Sequence, residues 1–194
     1  MSAALEPRRT ALVVYDLINA GLKPRDAAVA RAIAESGLVP NTLRLVEALR
    51  PRGVPVMWIV PRRRPDRLGL PDNVTAVGRG WSGLDERESA LIDEVSVAPE
   101  DQIVFKPRRD PFIGTELDLQ LRARGVDTIL LGGYATNWGV ESTARTAFDL
   151  GYDVIVLSDC CTNAEVELHR FAIEKILPRF ARVMSSQDAL RLLA

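Results

Sequence analysis

The amino-acid sequence predicts an α/β fold: a single domain, residues 1–194, with one doubly wound parallel sheet of six strands and helices on both faces. Short apolar runs of strand length recur along the chain, and segments with apolar residues at helical spacing separate them. This alternation is typical of parallel sheets built from strand–helix–strand units. A chain of 194 residues is long enough for one core that buries roughly 70% of the unfolded surface.

Six apolar runs give the predicted strands. The second run contains Pro55, which cannot donate to a sheet ladder and indicates that the start of this strand lies near an edge. In chain order the predicted strands are Ala11–Tyr15, Val54–Val60, Gln102–Phe105, Thr128–Leu131, Val154–Leu157 and Ala181–Met184.

The segments between the strands show helical periodicity or helix-capping residues. The predicted helices span residues 24–36, 40–50, 115–124, 140–151, 165–177 and 186–193. A short helix or ordered loop is expected within residues 81–95, and Ser186 is the expected N-cap of the last helix.

Composition and charge exclude several classes of function. A net charge of −1 gives the chain as a whole no basic surface for nucleic acid or a membrane. Residues 1–10 lack the apolar stretch of a secretory signal, and no run approaches the ~18 apolar residues that span a bilayer. We therefore expect a cytoplasmic protein with neither a nucleic-acid nor a membrane partner.

The chain offers few ligands for a metal ion. Zinc and iron sites usually combine several His or Cys side chains, and the one His in the chain, His169, is interpreted as a packed residue of helix 165–177. Cys160 and Cys161 are adjacent, which disfavours a disulfide between them, and we expect both to be packed and unreactive. The sequence thus predicts neither a metal nor a cofactor.

Two charged residues end predicted strands. Asp16 follows the first strand and Lys106 ends the third. Open α/β sheets bind ligands at the carboxyl ends of their strands, so both side chains are candidates for one site. The alternatives are a turn or N-cap role for Asp16 and an ordinary surface position for Lys106.

The stretch Gly132–Val140 connects the fourth strand to a helix. Orphan backbone N–H groups and the positive end of a helix dipole point into the crevice at such a turn. This arrangement suits a carbonyl oxygen or an anion.

Residues 61–80 combine Arg, Pro and Gly with little apolar periodicity and are interpreted as a long loop, which is usually functional in a compact domain. Arg62, Arg63, Arg64 and Arg67 concentrate positive charge at the end of the second strand. They suit a substrate that carries a carboxylate. The alternative is a solvated basic loop.

Three blocks of the sequence resemble the isochorismatase-like hydrolases. They are Leu12–Leu17; Lys106–Phe112 followed by Gly114–Asp118; and Gly133–Val140 followed by Thr143–Ala144 and Ala147–Tyr152. The resemblance covers nearly the whole chain and implies the strand order 3-2-1-4-5-6. It also implies that Asp16 is the catalytic acid or base, that Lys106 is the catalytic lysine, and that the Tyr134–Ala135 peptide is cis.

The chain departs from this family at three positions. Most members carry a nucleophilic Cys three residues after the Thr that corresponds to Thr136, and this chain has Gly139 there. Isochorismatases proper can also lack that Cys, and they hydrolyse a vinyl ether rather than an amide. Ile18 stands where a Gln is usual, and Pro61 is the nearest match to a substrate-contacting Gln of the isochorismatases.

The resemblance therefore implies hydrolysis without a covalent Cys nucleophile. Asp16 would protonate a small carboxylate-bearing vinyl ether such as isochorismate, and water would attack. The remaining site residues are expected to contact substrate: the backbone N–H groups of Ala135 and Gly139 as an oxyanion hole, with Tyr134 and Trp138 beside them, and Lys106, Arg62 and Arg67 for carboxylates.

The sequence is compatible with two alternatives. One is an amide or carbamoyl hydrolase in which Asp16 activates water directly. The other is a non-catalytic relative that binds a small molecule. In each case we expect an anionic small-molecule ligand and a homodimer or homotetramer. A Cys introduced at position 139 is expected to lie beside Asp16 at a helix N-terminus, where a thiolate is favoured.

Overall fold

The computed structural model of the chain describes residues 4–24, 26–62 and 84–193. Its strands are β1 Thr10–Tyr15, β2 Val56–Pro61, β3 Gln102–Lys106, β4 Thr128–Tyr134, β5 Asp153–Thr162 and β6 Arg182–Met184. They pair in parallel in one sheet of order β3-β2-β1-β4-β5-β6. The predicted fold class and strand order are confirmed.

Helices connect the strands on both faces of the sheet. They are α1 Asn19–Leu22, α2 Ala27–Glu35, α3 Leu38–Leu49, α4 Glu86–Ser89, α5 Leu117–Ala123, α6 Glu141–Asp149, α7 Val166–Phe171 and α8 Ser186–Leu192. The π-helical turns Thr136–Val140 and Ala172–Ile176 adjoin α6 and α7. Among the described residues, none of these helices is long and apolar enough to cross a membrane.

Helix caps correct two predicted boundaries. The helix expected at 24–36 begins only after Asp26, whose carboxylate accepts the backbone N–H groups of Ala28 and Val29. The last helix is capped by Ser185 rather than Ser186, since the Ser185 hydroxyl accepts the N–H of Asp188 at 3.1 Å.

The edge position inferred for the second strand is wrong. Pro55 precedes the first residue of β2, so the ladder never requires its missing N–H. β2 itself pairs with a strand on each side, β1 and β3.

β4 and β5 run further than predicted. β5 continues past Leu157 to Thr162, so Cys160 and Cys161 lie within the strand and not beyond it. β4 continues to Tyr134, and its last residues pair with the extension of β5. Glycines permit close approach on both sides of β4 here: a Cβ at Gly132 would lie 2.8 Å from the Cys160 carbonyl oxygen of β5, and a Cβ at Gly133, whose φ is +134°, would lie 2.1 Å from the Tyr15 carbonyl oxygen of β1.

Two apolar layers cover the sheet because successive strand residues point to opposite faces. The first layer packs under α2, α3 and α8 and includes Leu12, Val14, Trp58, Leu130, Leu38, Leu45 and Ala189. The second packs under α5 and α6 and includes Val13, Tyr15, Ile59, Leu131, Val104, Leu121 and Ala144. Tyr15 therefore belongs to the second layer, on the α5 and α6 side of the sheet.

Candidate active site

Asp16 and Lys106 form a buried ion pair at the carboxyl end of the sheet. Asp16 directly follows β1, where a left-handed φ of +48° ends the extended conformation; Asp tolerates this region better than most residues. Lys106 is the last residue of β3 and reaches across the end of β2. Its Nζ lies 3.0 Å from Asp16 Oδ2, and both side chains are almost fully excluded from solvent. The two strand-end side chains thus lie within hydrogen-bonding reach of each other, as predicted.

Burial dominates the protonation of Asp16. It raises the pKa of this carboxyl to about 6, although the charge of Lys106 and the hydrogen bond from Lys106 act to lower it. Asp16 Oδ1 accepts no hydrogen bond from any described residue. The pair thus holds a carboxyl group whose pKa is raised toward neutral pH and whose Oδ1 atom has no hydrogen-bond donor among the described residues.

The side-chain space of Gly139 is filled by Tyr15. A Cβ added to Gly139 would lie 2.0 Å from both Cε1 and Cζ of Tyr15, and 2.4 Å from the phenol oxygen. The ring is buried in the second apolar layer. The expectation that a Cys at position 139 simply takes its place beside Asp16 is therefore wrong, because the tyrosine ring already occupies that volume.

The segment after β3 is tied to the site by hydrogen bonds. The Tyr15 hydroxyl donates to the backbone carbonyl of Arg109 at 2.6 Å. The next residue, Asp110, accepts hydrogen bonds from the hydroxyls of Thr146 and Ser142 on α6 and from the N–H of Phe112. This segment is thereby fixed between β1 and α6, which in turn holds the end of β3 in place.

The turn that precedes α6 begins at a cis Tyr134–Ala135 peptide, as expected. The N–H groups of Trp138 and Val140 both donate to the Ala135 carbonyl, at 3.1 and 3.4 Å. Those two donors are therefore committed within the turn, and the N–H groups of Ala135 and Gly139 remain the expected oxyanion donors.

His169 contacts the same turn from α7. Its Nδ1 lies 2.8 Å from Oγ1 of the buried Thr136. Burial lowers the pKa of His169 below its ordinary value, which favours the neutral ring. The packed role inferred for this residue agrees with its position, and its partner is the first residue of the turn that carries Gly139.

The two aromatic residues predicted to contact substrate lie in different surroundings. Trp138 is partly exposed, and the Arg109 guanidinium stacks 4.0 Å from its ring centroid. Tyr134 instead packs against the first apolar layer, where its ring contacts Gly21 of α1. Trp138 is therefore linked through Arg109 to Tyr15, whereas the Tyr134 ring lies on the other side of the sheet.

The structure does not bring the Arg62 side chain to the ion pair. Its guanidinium lies 4.5 Å above the ring of Phe105, and its backbone N–H donates to the Lys106 carbonyl. Phe105 and Lys106 are successive strand residues, so their side chains point to opposite faces. Arg67, the other predicted carboxylate contact, lies outside the described residues.

Sequence reasoning missed Tyr15 and Arg109. The sequence pattern marks Tyr15 only as the last apolar residue of a strand, and Arg109 only as a member of the Lys106–Phe112 block that resembles the family. A signal for Tyr15 does exist: a large aromatic residue precedes the predicted acid in a chain whose nucleophile position is a glycine. That signal is readable only when positions 15 and 139 are considered as a pair.

Neither cysteine supplies an alternative nucleophile in this geometry. Both side chains are buried, and burial raises the pKa of Cys160 to about 12 and that of Cys161 further still. A thiol is reactive as its thiolate, so a high pKa makes it inert at neutral pH. Across the described ranges, no group of three or more His, Cys, Asp or Glu side chains is arranged to hold a metal ion.

We expect iodoacetamide at pH 7 to leave turnover unchanged and both cysteines unmodified, as measured by intact mass. The same reagent in guanidinium chloride provides the control, because both thiols should then react. Replacing Cys160 and Cys161 with Ala should lower the free energy of unfolding by ~1–3 kcal/mol and leave kcat unchanged, since only packing is lost. Stoichiometric labelling of the folded protein that substrate prevents would place the nucleophile at one of these cysteines.

Comparison with known proteins gives a consistent family assignment. The family model for the isochorismatase domain matches residues 10–188. The chain is 36% identical over 185 residues to the uncharacterized isochorismatase family protein YwoC of Bacillus subtilis (strain 168), covering 94% of this chain and 93% of that protein. It is 33% identical over 204 residues to the ureidoacrylate amidohydrolase RutB of Methylobacterium radiotolerans, covering 89% and 75%.

A solved structure agrees with the sequence relatives. An isochorismatase family protein from Burkholderia thailandensis superposes with a TM-score of 0.86 at 33% identity, covering 100% of this chain and 99% of that one. The family model and these relatives each span most of the chain, and the sheet order fits the same fold. The chain therefore belongs to the isochorismatase family of hydrolases.

Proposed function

We propose that the chain hydrolyses a small carboxylate-bearing vinyl ether, such as isochorismate, by general acid/base catalysis without a covalent intermediate. The observation that carries this proposal is the state of Asp16: burial raises its pKa to about 6 despite a lysine at 3.0 Å. An acid with a pKa near the working pH is well matched to proton transfer.

In this mechanism Asp16 donates its proton to the terminal methylene carbon of the enol ether. The resulting oxocarbenium ion is attacked by water, which gives a hemiketal and returns a proton to Asp16. Collapse of the hemiketal breaks the carbon–oxygen bond and releases pyruvate and an alcohol. One water is consumed, and the enzyme ends in its starting protonation state.

The other residues act by position and charge. The Lys106 ammonium would hold a substrate carboxylate and stabilise the Asp16 carboxylate that forms after proton transfer. The Ala135 and Gly139 N–H groups would donate hydrogen bonds to a substrate carboxylate at the turn. The filled side-chain space at Gly139 supports a route in which water, and not a protein thiol, is the nucleophile.

A second candidate is the hydrolysis of an amide or ureido group by water that Asp16 activates as a base. Two observations favour it: the 33% identity to ureidoacrylate amidohydrolase RutB and the position of Lys106, whose charge stabilises an ionised Asp16. In this route the carboxylate form of Asp16 is the active one, the reverse of the vinyl-ether mechanism.

Product assays separate the two candidates. Purified protein would be incubated with isochorismate and, separately, with a panel of amides, carbamoyl amides and ureido acids, with Asp16→Asn protein as the matched control. We expect pyruvate release from isochorismate or a related vinyl ether that depends on Asp16. Ammonia release from the amide panel with no pyruvate would instead assign the second candidate.

A further inference from the structure

The Tyr15 ring packs so closely against Gly139 that position 139 has no room for a side chain. Real Cβ atoms essentially never approach another heavy atom within 3.0 Å, and a Cβ at position 139 would meet three atoms of the phenol at 2.0–2.4 Å. Gly139 lies in a helical turn without a left-handed φ. Steric exclusion by Tyr15, and not backbone conformation, therefore sets the requirement for glycine at this position.

Tyr15 cannot easily leave this volume because three kinds of contact hold it. Its backbone belongs to β1, between β2 and β4. Its hydroxyl donates to the Arg109 carbonyl at 2.6 Å. Its ring face lies 4.4 Å from Lys106 Nζ, within the range of a cation–π contact.

We propose that Tyr15 and Gly139 act as one unit that selects the class of reaction. The Tyr15 ring keeps every side chain, and hence a thiol nucleophile, out of position 139, and its face positions the Lys106 ammonium against Asp16. Tyr15 is thus a positioning residue, and it gives the site its water-based chemistry. The claim about reaction class rests on the proposed function, whereas the exclusion of a side chain and the positioning of Lys106 do not depend on any substrate.

Tyr15 does not itself replace the thiol as a nucleophile. Burial raises the pKa of its hydroxyl well above the ordinary value, and the charges of Asp16 and Asp110 act in the same direction, while Arg109 opposes them. The hydroxyl proton is also engaged with the Arg109 carbonyl. The phenol therefore stays neutral and acts through the volume and the face of its ring.

A double-mutant cycle tests the exclusion without any substrate. Alanine forms helices better than glycine, so Gly139→Ala would raise the melting temperature if the space were empty. We expect Gly139→Ala alone to lower the melting temperature by more than about 5 °C. In the Tyr15→Leu background the same substitution should leave it unchanged or raise it. Equal effects in both backgrounds would refute the exclusion.

Thiol labelling gives a second and independent test. Gly139→Cys would be prepared with and without Tyr15→Leu and treated with iodoacetamide at pH 7, with the unsubstituted protein as the control for Cys160 and Cys161. We expect stoichiometric modification at position 139 only in the double variant, because only there does the thiol have room beside Asp16. Equal labelling of folded Gly139→Cys and of the double variant would show that Tyr15 does not close this position.

The positioning of Lys106 is tested by titrating Asp16 directly. The Asp16 carboxyl carbon would be followed by NMR from pH 4 to 9 and assigned with Asp16→Asn. Tyr15→Phe keeps the ring face, so the pKa should stay within about half a unit of wild type. Tyr15→Met fills much of the volume but provides no ring face. The Lys106 ammonium should then be held less firmly beside Asp16, so the pKa of Asp16 should rise by roughly one unit. If the pKa of Asp16 is the same in Tyr15→Met and Tyr15→Phe, Tyr15 does not position Lys106.

These measurements separate the inference from the proposed function. The cycle, the labelling and the titration are made on free protein. If all three give the expected results and no vinyl ether is turned over, the proposed function fails and the role of Tyr15 stands. If vinyl ethers are turned over and the double-mutant cycle shows no coupling, the proposed function stands and the role of Tyr15 fails.

Discussion

Replacing Asp16 with Asn is expected to lower kcat/KM by roughly 10²–10⁴-fold, the usual cost of losing a general acid or base. Asn matches Asp in shape, and its amide oxygen can still accept a hydrogen bond from Lys106, which lies 3.0 Å from the carboxylate in the unsubstituted protein. The fold should therefore be retained, as measured by circular dichroism and the melting temperature. The rate is measured on the substrate that the product assays identify.

Asp153→Asn is the matched control for that loss. Asp153 begins β5 at the opposite end of the sheet and pairs with Arg182 in a partly exposed ion pair, so the same chemical change there should alter kcat/KM by less than twofold. Activity of Asp16→Asn within about tenfold of wild type would refute Asp16 as the proton-transfer group.

Replacing Lys106 with Met is expected to lower kcat/KM by roughly 10- to 100-fold, mainly through KM. Met is similar in length and carries no charge, so it removes one charge-assisted hydrogen bond to a substrate carboxylate, worth ~1.5–3 kcal/mol.

The same substitution also removes the positive charge that opposes the effect of burial on Asp16, so the pKa of Asp16 should rise above its value of about 6. The Asp16 titration should move to higher pH, and an unchanged or lower pKa would contradict the role given to Lys106. Lys175→Met, on the exposed side of the turn after α7, is the control.

The raised pKa of Asp16 makes the free energy of unfolding depend on pH. The folded protein holds the Asp16 proton more tightly than the unfolded chain, whose pKa is 3.8. The contribution of Asp16 to the free energy of unfolding is therefore full below about pH 4 and declines as pH rises through about 6. In Lys106→Met the decline should continue to higher pH, which denaturant titrations at several pH values would measure.

The fold could be predicted because local sequence patterns identify most of its strands and helices. Continuous apolar runs identified the strands, and alternation with helical segments identified a parallel sheet. The ends were less predictable where tertiary contacts decide them. β5 continues through Ser158 and Asp159, which no apolar pattern marks, because its later residues pair with the glycine-rich end of β4.

The site was predictable in part, for a related reason. Asp16 and Lys106 stand at strand ends, and strand ends meet at one edge of the sheet whatever their separation in the chain. The contact of Tyr15 with Gly139 joins residues that are distant in sequence and on different elements. Neither residue shows this contact in its local pattern, so the reason for glycine at position 139 becomes visible only when both positions are considered together.

The pH dependence of kcat/KM tests most directly whether Asp16 works as an acid. The protonated carboxyl is the active form in the vinyl-ether mechanism, and its pKa is about 6. We therefore predict that kcat/KM falls with rising pH above about 6, approaching tenfold per pH unit, and that Asp16→Asn lacks this limb. A kcat/KM that instead rises through pH 6 to a plateau would show that the carboxylate form is active and would contradict acid catalysis by Asp16.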